Sequence, residues 1–195
     1  MKKLTLILSA IAFIVAIIIF SIAIIHKNRM KNLESREIVQ LLINRAGQIE
    51  KEFLSSIVFD QKCYFGKDSA NTFMLRDICD TNKIFFYFSD KMCPPCIDNS
   101  ISIIKEYYPN YQKDSSIIFI SPNYPKRLAD NCYGKKVLIL QSGKIGLPIY
   151  EDYPFFFKLN DNLEVISAHI IVKVDYNRTR QYLKSIKDKS QIPDV

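Results

Sequence analysis

The N-terminal end of the chain is a long apolar segment. Leu4 to Ile25 is a run of 22 residues without a charge, in which only Thr5, Ser9 and Ser21 are polar. As an α-helix such a run extends about 33 Å, enough to cross a hydrocarbon core of about 30 Å. The alternative is a secretory signal peptide, whose apolar core is normally only about 7–15 residues long. The length therefore favours an uncleaved membrane-spanning anchor.

A helical period follows the apolar segment. Between Leu33 and Ser55, apolar residues recur three, four or seven positions apart among charged residues, a pattern typical of an amphipathic helix. The apolar positions are Ile38, Leu41, Leu42, Ile49 and Phe53. The pattern fits a stalk between membrane and domain and equally a first helix packed on the domain, and both interpretations stay open.

Strand-length apolar runs begin after a turn-rich zone over residues 60–70. Lys83 to Ser89 is a continuous apolar and aromatic run, as expected of a strand buried on both faces. Apolar residues at helical spacing then predict a helix that stops at Pro109. A second buried strand covers residues 116–120. The order strand, helix, strand predicts an α/β sheet with a parallel crossover.

The C-terminal third predicts one more strand, a hairpin and a helix. Residues 135–141 form the strand candidate, and Pro154 precedes an apolar run over 155–159. The turn at 160–162 leads into a partner strand within 163–174, and the last helix covers about 177–187. We therefore divide the chain into a membrane anchor with basic flanks (1–31), an amphipathic segment (32–58) and one α/β domain (59–195).

The positive charge of the chain belongs mainly to the anchor. The formal net charge is +7, which favours nucleic acid or an anionic membrane surface as a partner. Residues 1–31 hold five Lys and Arg and no acid, so residues 32–195 carry 22 basic against 20 acidic residues. The near-neutral remainder argues against a nucleic-acid partner and leaves membrane lipid as the partner of residues 4–25. The basic flanks lie on both sides of the span and alone slightly favour a cytoplasmic domain.

The composition excludes two broad classes. Hydrophobic residues make up 48% of the chain and charged residues 24%, which is too apolar for a disordered protein. Five cysteines in 195 residues are too few for a small disulfide scaffold. Each cysteine therefore needs an explanation of its own.

The informative motif is Cys93-Pro94-Pro95-Cys96, placed where a buried strand gives way to a helix. A cysteine at a helix N-terminus has a stabilised thiolate and a lowered pKa. The spacing allows Cys96 to resolve a mixed disulfide formed at Cys93, so we assign Cys93 as the nucleophile and Cys96 as the resolving thiol. Since Pro94 and Pro95 carry no N–H, the Cys96 N–H is the nearest donor to the Cys93 sulfur, and we expect only a mild depression of the Cys93 pKa.

A lone Cys-x-x-Cys is also compatible with half of a zinc site or with two inert core cysteines. Zinc needs four ligands, usually including a second close pair, but Cys63 and Cys79 are 16 positions apart and Cys132 is isolated. We therefore predict no metal. Cys63 and Cys79 either pair in an oxidising compartment or stay as buried free thiols. His169 is expected to be an ordinary strand residue.

From about Thr72 to Lys187 the sequence resembles the thioredoxin-like superfamily, and within it the membrane-anchored TlpA/ResA-like thiol-disulfide oxidoreductases. The resemblance rests on the segment Phe73 to Asp77, the run Lys83 to Ser89, the Cys-Pro-Pro-Cys motif with its helix, and Tyr153 to Phe157. It implies a three-layer α/β fold with a central mixed sheet, and a redox-active Cys93–Cys96 disulfide with no other cofactor. It also implies a cis Pro154 against the sulfurs, supported by Tyr153.

The resemblance further implies a location and partners. The domain would face the periplasm, anchored by a single span in a bacterial inner membrane, and would exchange disulfides with client proteins and with a membrane redox partner. Two positions depart from the pattern: Met92 replaces the usual Trp, and Tyr87 replaces the buried acid that thioredoxins carry six positions before the first cysteine. Without that acid, proton transfer at Cys96 must use water or another group. The competing interpretation is a redox-inert adaptor.

Overall fold

The computed structural model describes the backbone of residues 2–123, 133–147 and 153–190. The side chains of residues 1–19, 23, 189 and 190 lie outside this description, and so does Cys132. The chain divides into two compact units, residues 1–42 and 43–195. The boundaries expected after residues 31 and 58 stay predictions.

The described residues of the first unit belong to the helix α1 (Lys2–Phe53). Most side chains of the predicted span Leu4–Ile25 fall outside the described residues. Within the part of the chain that is described, no helix is long and apolar enough to cross a membrane.

The second unit begins with the last turns of α1 and continues with strands and two further helices. The strands are β1 (Lys62–Phe65), β2 (Phe73–Met74), β3 (Ile84–Tyr87), β4 (Ile117–Ser121), β5 (Val137–Leu140), β6 (Phe155–Leu159) and β7 (Val165–Ile170). The helices are α2 (Pro94–Tyr107) and α3 (Tyr176–Ser190), and a single 3₁₀ turn follows β2. The predicted buried strands, hairpin and C-terminal helix are thus present, with ends shifted by a few residues.

The described strands form one mixed sheet in the order β2-β1-β5-β4-β3-β6-β7. The β3–β4 and β4–β5 pairs are parallel, and the remaining pairs are antiparallel. Phe155 pairs with both Tyr87 and Ile170, so the end of β3, the start of β6 and the end of β7 lie at the same edge. This mixed α/β arrangement fits a thioredoxin-like fold.

Helices cover both faces of the sheet at β6. Neighbouring residues of a strand point to opposite faces. Phe155 packs against Phe53 of α1, with ring centroids 5.1 Å apart, whereas Phe156 packs against Tyr182 of α3 at 6.1 Å. The end of α1 and α3 therefore lie on opposite sides of β6. Every residue of β3, β4 and β5 is buried, which explains why these strands lack polar alternation.

The end of α1 is held to the sheet by a buried polar cluster. Glu50 accepts a hydrogen bond from the Ile170 backbone N–H at 2.7 Å and forms an ion pair with Arg178. Its carboxylate also lies 3.2 Å from Nδ1 of His169, whose Nε2 is 3.0 Å from the Thr179 hydroxyl. Burial lowers the pKa of His169 and outweighs the opposing effect of Glu50. His169 is thus a strand residue, as expected, with a partner on each ring nitrogen.

Candidate active site

The cysteine motif lies at the sheet edge just defined. β3 ends at Tyr87, the chain turns through the buried Met92, and α2 begins at Pro94 with Cys93 as its N-cap residue. Pro94 and Pro95 occupy the first two helical positions, where the missing N–H groups leave no intrahelical bond unmade. The sequence-based placement of Cys93 at a strand-to-helix junction agrees with this geometry.

The two cysteines are free thiols in very different surroundings. Cys93 is exposed, whereas Cys96 is only 5% exposed. The Cys96 N–H donates to the Cys93 carbonyl at 3.0 Å, and the Cys93 sulfur does not form a full capping hydrogen bond. Because Pro94 and Pro95 carry no N–H, the helix N-terminus stabilises the Cys93 thiolate mainly through the Cys96 N–H.

Their environments move the two pKa values in opposite directions. Hydrogen bonding from the Cys96 thiol, then from the Cys96 N–H, lowers the pKa of Cys93, and the positive charge of Lys173 adds to the effect. Burial, and after it the neighbouring Cys93, raise the pKa of Cys96 to about 11. Cys93 is therefore the thiol that ionises first and is accessible to a partner, and Cys96 is the protected one.

Three residues of the site come from features that the sequence patterns did not single out. Lys173 follows β7, Tyr176 begins α3, and both act on the Cys96 sulfur, Tyr176 as a hydrogen-bond donor. Asn99 lies one helical turn after Cys96 and donates to the Tyr176 hydroxyl at 3.1 Å. The signal in the sequence for these residues is the spacing of Cys96 and Asn99, which places both on one face of α2.

Tyr153 and Pro154 lie at the same edge, directly before β6. Pro154 is buried, Tyr153 is partly buried, and the Pro154 carbonyl accepts the Ile171 N–H at 3.0 Å. The described residues contain no cis peptide bond, so the cis Pro154 implied by the resemblance is not observed. Trans is the ordinary state of an X–Pro bond.

The remaining described cysteines lie away from this edge. Cys63 is buried on β1, Cys79 is partly buried after the 3₁₀ turn, and both are free thiols. Burial raises the pKa of each to about 12. Within the described residues, no group of three or more His, Cys, Asp and Glu side chains is placed to hold a metal ion.

Selective alkylation tests the difference between the thiols. The thiolate is the reactive form, so a thiol reacts faster as the pH approaches its pKa from below. With limiting iodoacetamide near neutral pH, we expect Cys93 to be modified first, with a midpoint below the ordinary value of 9.0, and Cys96 to react only as the pH nears about 11. Peptide mass spectrometry measures both, with Cys63 and Cys79 as internal references. A Cys93 midpoint well below about pH 6 would contradict the expected mild depression.

Comparisons with known proteins give distant structural matches only. No model of a protein family and no curated protein matches the sequence. An uncharacterized thioredoxin-like protein of Porphyromonas gingivalis is 16% identical, with a TM-score of 0.45 over 73% of this chain and 97% of that one. A DsbF homologue of Corynebacterium diphtheriae is 16% identical, with a TM-score of 0.40 over 69% and 92%. A PrxQ mutant of Xylella fastidiosa is 11% identical, with a TM-score of 0.41 over 70% and 96%.

The mixed α/β sheet fits a thioredoxin-like fold, and the cysteine pair lies at the start of the helix that follows β3.

Proposed function

We propose that this chain is a thiol-disulfide oxidoreductase that exchanges disulfides with client proteins through Cys93 and Cys96. The observation that carries the proposal is the asymmetry of the pair. An exposed thiol with a lowered pKa is joined, at the start of one helix, to a buried thiol with a raised pKa. Environments that separate the pKa values of two neighbouring groups assign them different roles in a reaction.

In the reductive direction, the Cys93 thiolate attacks a client disulfide. The Cys93–client S–S bond forms, the client S–S bond breaks, and the departing client thiolate takes up a proton. Cys96 then loses its proton and attacks the Cys93 sulfur, which releases the second client thiolate. The products are the Cys93–Cys96 disulfide and a client dithiol, so two electrons pass to the client. The oxidative direction is the reverse, and no cofactor besides the disulfide is needed.

The proposal includes an anchored, extracytoplasmic location. Residues 4–25 would cross a bacterial inner membrane and contact lipid, and the domain would exchange electrons in the periplasm with clients and a membrane redox partner. The length of the apolar run supports the anchor. A periplasm-dependent reporter fused to the C-terminus should be active, and a silent but expressed fusion would contradict the placement.

Trapping tests the proposed exchange. In Cys96→Ser the mixed disulfide on Cys93 has no internal resolving thiol, so complexes with client proteins should accumulate and disappear on reduction with dithiothreitol. Non-reducing electrophoresis and mass spectrometry would identify them. The matched control is the double variant Cys93→Ser with Cys96→Ser, which should trap nothing.

A result with no adduct in Cys96→Ser, together with no disulfide reductase activity in the unaltered chain, would contradict the proposed function. It would favour the redox-inert adaptor, in which the same surface only binds partners.

A further inference from the structure

The Cys96 thiolate needs stabilisation because the residue is buried, and the Cys-Pro-Pro-Cys motif itself contains no group that provides it. Cys96 must become a thiolate to resolve a mixed disulfide, yet it is only 5% exposed, and burial opposes its ionisation. The position six residues before Cys93 holds Tyr87, which is buried. Its ring stacks on that of Phe155, with the ring centroids 4.7 Å apart. The groups that act on the Cys96 sulfur are Cys93 from the start of α2, Lys173 from the loop after β7, and Tyr176 from the start of α3.

The position of Tyr176 is fixed by the packing of α3 on α2. Asn99 donates to the Tyr176 hydroxyl at 3.1 Å near the start of the two helices. Arg180 of α3 forms an ion pair with Glu106 of α2 at 2.8 Å, and Lys187 donates to the Tyr107 carbonyl at 2.8 Å. These contacts hold α3 along α2 and place the start of α3 beside Asn99.

The hydrogen bond from Asn99 also sets the direction of the Tyr176 hydroxyl. The Asn99 amide N–H occupies an acceptor position on the hydroxyl oxygen, so the hydroxyl hydrogen is free to point elsewhere. Asn99, which the Tyr176 hydroxyl contacts, lies one helical turn after Cys96 on the same face of α2, so the Cys96 sulfur is the neighbouring acceptor. In agreement, hydrogen bonding with Tyr176 lowers the pKa of Cys96. Burial and the two cysteines raise the pKa of Tyr176, so the hydroxyl keeps its proton at the pH at which exchange occurs.

We propose that Tyr176 is a catalytic residue that donates a hydrogen bond to the Cys96 thiolate during resolution, and that Asn99 is a positioning residue that orients the Tyr176 hydroxyl. The inference rests on the proposed oxidoreductase function and assigns two further residues to it. Tyr176 and Asn99 would thus stabilise the Cys96 thiolate by hydrogen bonding and not by accepting its proton.

In this step Tyr176 neither gains nor loses a proton. The Cys96 thiol releases its proton to water, the thiolate attacks the Cys93 sulfur, and the Cys93–Cys96 bond forms. The Cys93–client bond breaks, its electron pair leaves on the client sulfur, and that thiolate takes a proton from water. The hydrogen bond from Tyr176 lowers the free energy of the thiolate before the attack and raises the fraction of Cys96 that can react.

The direct test measures the Cys96 pKa in the full chain carrying Cys93→Ser, from the pH dependence of iodoacetamide modification of the Cys96 peptide followed by mass spectrometry. Cys93 is then absent, and Cys63, Cys79 and Cys132 lie on other peptides and do not contribute. Adding Tyr176→Phe should raise this pKa by about one unit, the typical effect of one hydrogen bond to a charged group. Asn99→Ala should raise it in the same direction by less. Tyr64→Phe on β1, which is separated from β3 by β5 and β4 in the sheet and so is remote from Cys96, is the matched control and should leave the Cys96 pKa unchanged.

The kinetic test uses a small probe in place of a client. Reaction of the Cys93 thiolate with 5,5′-dithiobis(2-nitrobenzoate) places one thionitrobenzoate on Cys93 and releases the other as a coloured thiolate. Attack by Cys96 on the Cys93 sulfur then releases the second coloured thiolate, which is the step that is measured. Near neutral pH, Tyr176→Phe should slow this release about threefold, because a tenfold smaller thiolate fraction is partly offset by the higher nucleophilicity of a more basic thiolate. The pH–rate profile should shift upwards by about one unit, and at high pH the variant should be at least as fast as the unaltered chain.

A slowing by the same factor at every pH, or an unchanged Cys96 pKa in Tyr176→Phe, would overturn the inference. If Tyr176→Phe does not fold, Asn99→Ala gives the same test with a smaller expected shift. Absence of release from the unaltered chain would instead contradict the proposed function, so the two failures are distinguishable.

Discussion

Cys93→Ser is expected to lower disulfide-exchange turnover at least about a thousandfold, while the free energy of unfolding changes little. A serine hydroxyl is not ionised at the pH at which the Cys93 thiol reacts, and it cannot form a stable mixed disulfide. Because Cys93 is exposed at an N-cap position, the substitution removes no core packing and introduces a favourable N-cap residue. Reduction of insulin disulfides by the full chain, with a thermal unfolding curve for each variant, measures both quantities.

The matched control is Cys79→Ser, which changes a described thiol outside the motif. Cys79 is partly buried after the 3₁₀ turn, so its serine variant should lose some stability and retain turnover. Equal activity of Cys93→Ser and the unaltered chain would show that the nucleophile is not Cys93. Equal loss of activity in both serine variants would point to a folding defect.

The asymmetry between the two cysteines follows from a few local features. The end of a fully buried parallel strand delivers the chain to a helix start at the sheet edge, so the first cysteine is accessible and the second lies one turn inside. The two prolines fix the first helical positions but withhold two N–H donors from the Cys93 sulfur. The helix start therefore lowers the pKa of Cys93 less than it would with two non-proline residues between the cysteines. The largest contribution to the lowered pKa of Cys93 comes from the Cys96 thiol.

The parts of the fold that the sequence predicts are those with continuous local patterns. β3, β4 and β6 are apolar runs, and their burial on both faces is visible residue by residue. β1 lies within the zone of residues 60–70 that the sequence indicates as turn-rich. Lys62–Phe65 shows no apolar run and becomes a strand through antiparallel pairing with the distant β5. Strand formation that depends on a remote partner leaves little local signal.

The same distinction applies to the candidate site. Cys93 and Cys96 are three positions apart and lie at a junction that the flanking patterns define. Tyr176 lies about 80 positions further along and reaches Cys96 only because β3, β6 and β7 are neighbours in the sheet. The cis bond at Pro154, expected from resemblance rather than from local chemistry, was the implication that the structure does not bear out.

Glu50→Ala is expected to lower the free energy of unfolding by about 3 kcal/mol. In the amphipathic pattern of α1, Glu50 is a charged position and is expected to be exposed. Its side chain is only 14% exposed. Its loss would leave the buried Ile170 N–H without its acceptor and the Arg178 guanidinium without its counter-charge. Arg178 already carries a buried Nη1 that finds no acceptor among the described residues, so little compensation is available there.

Chemical denaturation of the full chain measures this loss, and Glu52→Ala is the matched control. Glu52 lies two residues further along the same helix and is exposed, so its substitution should change the free energy of unfolding by less than about 0.5 kcal/mol. The double variant Glu50→Leu with Arg178→Met should recover part of the loss, because removal of both charges leaves neither one buried and unpaired. If Glu50→Ala costs no more than Glu52→Ala, the end of α1 is not held to β7 and α3 by this carboxylate. If the double variant costs the sum of its single substitutions, Glu50 and Arg178 stabilise the domain independently, and the ion pair between them contributes nothing.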